Sequence, residues 1–181
     1  MNKIRRQTNV STPIIIDVEA SGFGSLSYPI EVGAINQSGK RFCSLIKPQS
    51  DWLHWDAQAE SLHGINRKLL AEKGFLVQEV CQQLNQFLKG HIVYSDGWVV
   101  DNMWLIKLFA AAKMTMKFHV SSMEMILNEA QMLLWHSTKD RLFQTMKEPR
   151  HRASSDAALI QNTFVTTQQI CIENANSLQL S

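Results

Sequence analysis

The chain has 181 residues, 45% of them hydrophobic and 19% charged, which is enough to bury the core of one domain and too short for a second full one. No apolar run reaches the roughly 18 residues a membrane-spanning helix needs, and a net charge of +2 permits a polyanionic partner without requiring one. Cys43, Cys81 and Cys171 have no paired spacing, so reduced, mostly buried thiols are expected rather than a disulfide framework or a thiolate zinc site.

Met1 to Arg6 is basic, but Gln7 to Thr12 is polar where a signal peptide would be apolar, so a cytoplasmic protein is expected. Residues 1–12 read as a flexible lead-in, 13–175 as the domain and 176–181 as a tail. Ile14-Ile15-Ile16 marks a buried strand over Pro13 to Val18, interrupted by Asp17. Beyond the loop at Gly22-Phe23-Gly24, Ile30 to Ile35 predicts a second strand, and the turn Gln37-Ser38-Gly39-Lys40 leads into a third at Arg41 to Ile46. From Trp52 the apolar spacing becomes helical and continues through Leu84 and Leu88 to a stop at Gly90. A short strand at His91 to Ser95 precedes a helix over Val99 to Ala112. A strand at Met116 to Val120 then leads to a helix over Ser121 to Leu134 capped by Ser121 or Ser122, and a last helix covers about Arg152 to Ile172. Three hairpin-linked strands followed by alternating strands and helices give an α/β fold, a mixed sheet flanked by helices.

Asp17-Val18-Glu19 is the sharpest anomaly. Residues i and i+2 of a strand share a face, so two carboxylates project together where an apolar strand ends. Their repulsion is relieved by protonation or by a hard divalent cation, unless the strand end is simply solvated. Asp101, near the start of an apolar helix, and Asp156, just over one helical turn beyond His151, are further acidic candidates. Helix-dipole stabilisation explains Asp101 equally well when it is taken alone, and a solvated helix surface explains Asp156.

Together, Asp17, Glu19, Asp101 and Asp156, with His151, resemble in order and spacing the DEDDh (DnaQ-like) family of 3′-to-5′ exonucleases. The resemblance spans nearly the whole chain: Ile-Ile-Ile-Asp-Val-Glu-Ala-Ser-Gly-Phe-Gly from residue 14, Pro-Ile-Glu-Val-Gly-Ala-Ile at 29–35, Ser-Leu-His-Gly-Ile at 61–65 and His-Arg-Ala-Ser-Ser-Asp-Ala-Ala from 151. It implies a ribonuclease-H-like fold, with a three-strand antiparallel meander plus parallel strands. The stretch from Tyr94 to Asp101 lacks the family's asparagine and phenylalanine-aspartate pair, which leaves Asp96 as an alternative to Asp101. Ala20-Ser21-Gly22 stands where threonine-glycine is usual.

By this resemblance, two Mg²⁺ or Mn²⁺ ions are held by Asp17, Glu19, Asp101 and Asp156, with Asp17 bridging them; such a pair clamps the attacking and leaving oxygens of a phosphodiester. His151 is the general base, imidazole being the side chain that exchanges protons near neutral pH. Ser21, Gly22, Phe23 and His63 are placed at the terminal nucleotide, although core packing for Phe23 and helix capping or packing for His63 are open alternatives. The implied partner is single-stranded DNA or RNA with a free 3′ end, the product a nucleoside 5′-monophosphate, and the assembly a homodimer. Two rival readings stand beside it, an inactive nuclease-fold binding module and a small-nucleotide hydrolase. Lys3, Arg5, Arg6, Arg67, Lys68, Arg150 and Arg152 are candidate phosphate contacts. Of the tryptophans, Trp104 reads as core, while Trp52 and Trp55 remain open as stacking surfaces.

Overall fold

Ile15 and Ile16 point to opposite faces of one strand, and each begins a different core. The computed structural model describes residues 11–146 and 151–178. Strand β1 (Ile15–Ala20) pairs antiparallel with β2 (Pro29–Ile35), and β2 with β3 (Arg41–Leu45). On the other side of β1, β4 (Ile92–Ser95) runs parallel to it and β5 (His119–Ser122) parallel to β4, giving the order β3-β2-β1-β4-β5.

Two helical layers cover this mixed sheet, as the sequence predicted. Between β3 and β4 run α1 (Ala57–His63), α2 (Arg67–Lys73) and α3 (Val77–Leu88). Asp56 caps the first, accepting from Gln58 N–H at 2.8 Å, and Asn66 the second, accepting from Leu69 N–H at 2.8 Å. Helix α4 (Trp98–Ala111) joins β4 to β5. Ile16, Val18, Ile30 and Val32 pack with Val80 and Leu84 of α3 and Leu105 and Leu108 of α4. On the opposite face, Ile15 and Ile35 pack with Trp135 of α5 (Glu129–Thr145) and Ala157, Ile160 and Phe164 of α6 (Ala153–Leu178).

Some expected boundaries move. The strand expected at 116–120 lies at His119–Ser122, because Ser121 and Ser122 pair with Tyr94 and Ser95 of β4. Those serines therefore finish a strand instead of capping a helix. A 3-10 turn (Met123–Met125) follows, and α5 starts only at Glu129, capped by Asn128, whose side chain accepts from Gln131 N–H at 2.9 Å. The last helix continues past Ile172 through Leu178, taking in residues 176–178 of the expected tail. Of the cysteines, Cys81 is buried, Cys171 partly buried and Cys43 exposed, since Cys43 sits on edge strand β3. Lys3, Arg5, Arg6, Arg150 and residues 179–181 lie outside the described residues, as does all but the end of the expected lead-in. No helix among the described residues is long and apolar enough to cross a membrane.

Candidate active site

The chain leaves the centre of the sheet in two directions, from β1 toward β2 and β3 and from β4 toward β5. Open α/β sheets form a crevice at such a switch point, outside the carboxyl ends of the strands. Here β1 ends with Asp17 and Glu19, on the face that Ile15 begins. A register irregularity between Glu19 and Ala20 then turns the chain into the loop. Strand β4 ends at Ser95, and Asp101 lies in the first turn of α4. Helix α6 covers Ile15 with its body, so its N-terminal turn brings Asp156 beside Glu19.

These elements enclose a cleft of about 250 Å³ lined by Asp17, Glu19, Asp101, Asp156 and His151, with Gly22, Phe23 and His63 at its sides. One ligand atom each from Glu19, His151 and Asp156 lie within 4.8 Å of one another. His151 holds a left-handed backbone, φ 57°, immediately before α6. Asp101 is buried; its Oδ2 accepts from the Ser95 hydroxyl, which in turn accepts from Gly97 N–H at 2.9 Å.

Burial, followed by the charges of Asp101, Glu19 and Asp156, holds the Asp17 carboxyl well above the usual carboxylate range. Burial and the Asp156 charge push Glu19 up to about 7, with Glu31 and Asp101 adding to the effect and Arg152 opposing it. Asp101 rises to about 7, chiefly through burial, against the opposing hydrogen bond from Ser95. Among the described residues no lysine or arginine forms an ion pair with Asp17, Glu19 or Asp101. A half-enclosed set of carboxylate oxygens that raise one another's pKa is the donor chemistry that suits Mg²⁺ or Mn²⁺.

Phe23 is 73% exposed on the cleft rim, so it is not a core residue. Gly22 has φ 151°, and a Cβ there would come within 2.7 Å of Asp56 Cβ and His54 Cε1, so the loop's close approach requires glycine. His63 is buried; its Nδ1 accepts from Ile65 N–H at 3.0 Å, while Nε2 lies without a hydrogen bond of ordinary geometry. Burial lowers its pKa. Ser21 stands apart from the cleft lining: it is fully buried, and its hydroxyl accepts from Tyr28 N–H at 3.2 Å, which ties the loop together.

Other sequence candidates are occupied elsewhere. Arg152 forks onto Glu31 instead of facing the cleft. Arg67 donates to the Leu53 carbonyl and lies 5.2 Å over the Trp55 ring, and exposed Lys68 sits 3.9 Å from Glu72. Trp52 is core, stacked on Tyr28 at 5.1 Å. Asp96 pairs with Lys139 of α5 and does not line the cleft. The cleft lining also includes Val100 and Trp104, which carry no sequence signal beyond their hydrophobicity, and Leu62, which stands in the 61–65 motif but was not singled out. The sequence reading also missed Glu31, a charged residue inside an otherwise apolar buried strand.

No family model and no curated protein matches the sequence. Solved structures do. E. coli Exonuclease I, in a zinc-bound single-stranded DNA complex, superposes with a TM-score of 0.68 at 16% identity over 91% of this chain and 42% of that one. The same enzyme with a dT13 oligonucleotide gives 0.67 at 13% identity over 91% and 43%. Exonuclease I from Methylocaldum szegediense gives 0.53 at 15% identity over 67% and 29%. The chain thus spans less than half the length of these solved proteins. Over that length it has the fold of Exonuclease I, the ribonuclease-H-like mixed sheet with flanking helices that the motifs implied.

Proposed function

We propose that this chain is a metal-dependent 3′-to-5′ exonuclease that hydrolyses the terminal phosphodiester of single-stranded nucleic acid and releases nucleoside 5′-monophosphates. One observation carries the reading: Asp17, Glu19, Asp101, Asp156 and His151, drawn from three separate parts of the sequence, line a single cleft. The fold shared with Exonuclease I, solved with single-stranded oligonucleotides, supports it.

The four carboxylates would hold Mg²⁺ or Mn²⁺, which when bound supplies Lewis-acid stabilisation of charge on the phosphoryl oxygens. The chain's own side chains do the rest. His151, within reach of Glu19 and Asp156, accepts the proton of the attacking water at an imidazole nitrogen. Phe23 and Leu62 form an apolar rim against which the terminal base stacks, and the Gly22 backbone lines the cleft beside them. His63 lines the cleft, and burial disfavours its charged form, so its role there is that of a polar hydrogen-bonding group in the wall.

The test is digestion of 5′-labelled single-stranded DNA and RNA oligomers with Mg²⁺, Mn²⁺ or EDTA. The expected result is a ladder shortening from the 3′ end only with metal, and its loss in Asp17→Ala and Asp156→Ala. Activity that persists in EDTA, or in those variants, would falsify the proposal.

A further inference from the structure

Glu31 sits in the middle of β2, all seven residues of which are buried, and has no solvent exposure. A carboxylate there must be paired. Arg152 Nε donates to both its oxygens, at 3.2 and 3.1 Å, and Arg152 Nη2 donates to Oε1 at 2.6 Å. The Ala153 N–H donates to Oε2 at 2.9 Å and the Cys43 thiol to Oε1 at 3.5 Å. The fork geometry fixes direction as well as distance.

The arginine sits at the entry to α6. Its carbonyl accepts from the N–H groups of Ser155 and Asp156, at 2.8 and 3.0 Å, and His151 directly precedes it in a left-handed conformation that a non-glycine residue keeps only when its surroundings impose it. Glu31 also faces Glu19 across the β1–β2 ladder. Like charges directly opposite in a ladder repel. Arg152 is the counter-charge of Glu31, and Glu19 is left to Asp156 and His151.

We propose that Glu31 and Arg152 are positioning residues, a part-buried clamp that holds His151 and Asp156 against Glu19. The functional consequence rests on the exonuclease reading; the mechanical one does not. Three measurements on Glu31→Gln and Arg152→Lys test it: amide hydrogen exchange, Mn²⁺ affinity by calorimetry, and kcat and KM on an oligonucleotide.

In Glu31→Gln, exchange at Ser155 and Asp156 accelerates at least about tenfold while amides at 163–167 keep their rates. Mn²⁺ affinity falls about 10- to 100-fold, and kcat falls with KM nearly unchanged. Arg152→Lys, which keeps the charge but loses the fork, lies between wild type and Glu31→Gln, and it carries the test if Glu31→Gln does not fold. Wild-type exchange at residues 155 and 156, or wild-type Mn²⁺ affinity, in a variant that has merely lost thermal stability overturns the clamp. If the unmutated protein binds no Mn²⁺, the exonuclease reading fails, and hydrogen exchange alone then decides the clamp: local acceleration supports it and its absence overturns it.

Discussion

The hydroxyl of Ser95, at the end of β4, donates to the carboxylate of Asp101, in the first turn of α4. That bond anchors the acid from the far side of the switch point, and it separates Asp101 from Asp96, which turns to Lys139. On the proposed function, Asp101→Asn is therefore expected to lower oligonucleotide hydrolysis by at least about 100-fold, the upper end of what disturbing a metal's surroundings costs. Asp96→Asn, which removes a partly exposed ion pair, leaves turnover within about fivefold. Matched kinetics of the two variants check the assignment.

The metal-free protein is expected to lose stability as pH rises from about 4 through about 7. Glu19 and Asp101 go from ordinary values of 4.5 and 3.8 to about 7 in the folded chain. Between those limits the folded state holds protons that the unfolded state has released, so their contribution is fully present below the unfolded values and is lost as pH climbs through about 7. Shifts of this size correspond to about 3 to 4 kcal/mol per group. Melting in EDTA at pH 5.5 and pH 8 should give a Tm lower by about 5–10 °C at the higher pH. Glu19→Gln should flatten the dependence. Mn²⁺ should raise Tm much more at pH 8, where the carboxylates are ionised, than at pH 5.5.

Phe23, exposed on the rim, has little to do with stability and much to do with the proposed substrate. Phe23→Ala should alter unfolding free energy by less than about 0.5 kcal/mol. On oligonucleotides it should raise KM about 5- to 100-fold, the equivalent of one lost base stack. Denaturant melts and steady-state kinetics on one preparation distinguish this from a packing defect.

Gly33 makes the opposite prediction. A Cβ there would lie 2.2 Å from the Ala153 carbonyl carbon and the Ser154 nitrogen, which are backbone atoms with no rotamer to yield. Gly33→Ala should cost at least about 3 kcal/mol in thermal or urea unfolding. Gly39→Ala, at φ +80° in open space, should cost only about 1 kcal/mol, since it meets backbone strain but no clash.

Much of this was legible in the residues. Ile14-Ile15-Ile16 and the alternation through Glu19 located β1, because a strand's period of two declares its faces; the helical spacing of Val80, Leu84 and Leu88 did the same for α3. The convergence of Asp17 with Asp156 was inferred from motif order and is seen in the lining of the cleft. The start of α5 was missed because Ser121 and Ser122 have capping chemistry, yet their pairing with β4 is a long-range contact that local propensity does not contain. Arg152 was counted among possible phosphate contacts because its partner, Glu31, lies 121 residues away in sequence. A carboxylate inside Pro-Ile-Glu-Val-Gly-Ala-Ile was the available sign that an arginine elsewhere would be taken up by it.

The alternation of β1 also sets how its stretch of gene can change. Its even-numbered residues belong to the core beneath α3 and α4, its odd-numbered ones to the face shared with α6. A single inserted or deleted codon between Ile15 and Asp17 would exchange the two sets, driving both acids under α3 and α4 and presenting Val18 where they had stood. Substitutions can accumulate one at a time along this strand, whereas a shift in length survives only in pairs.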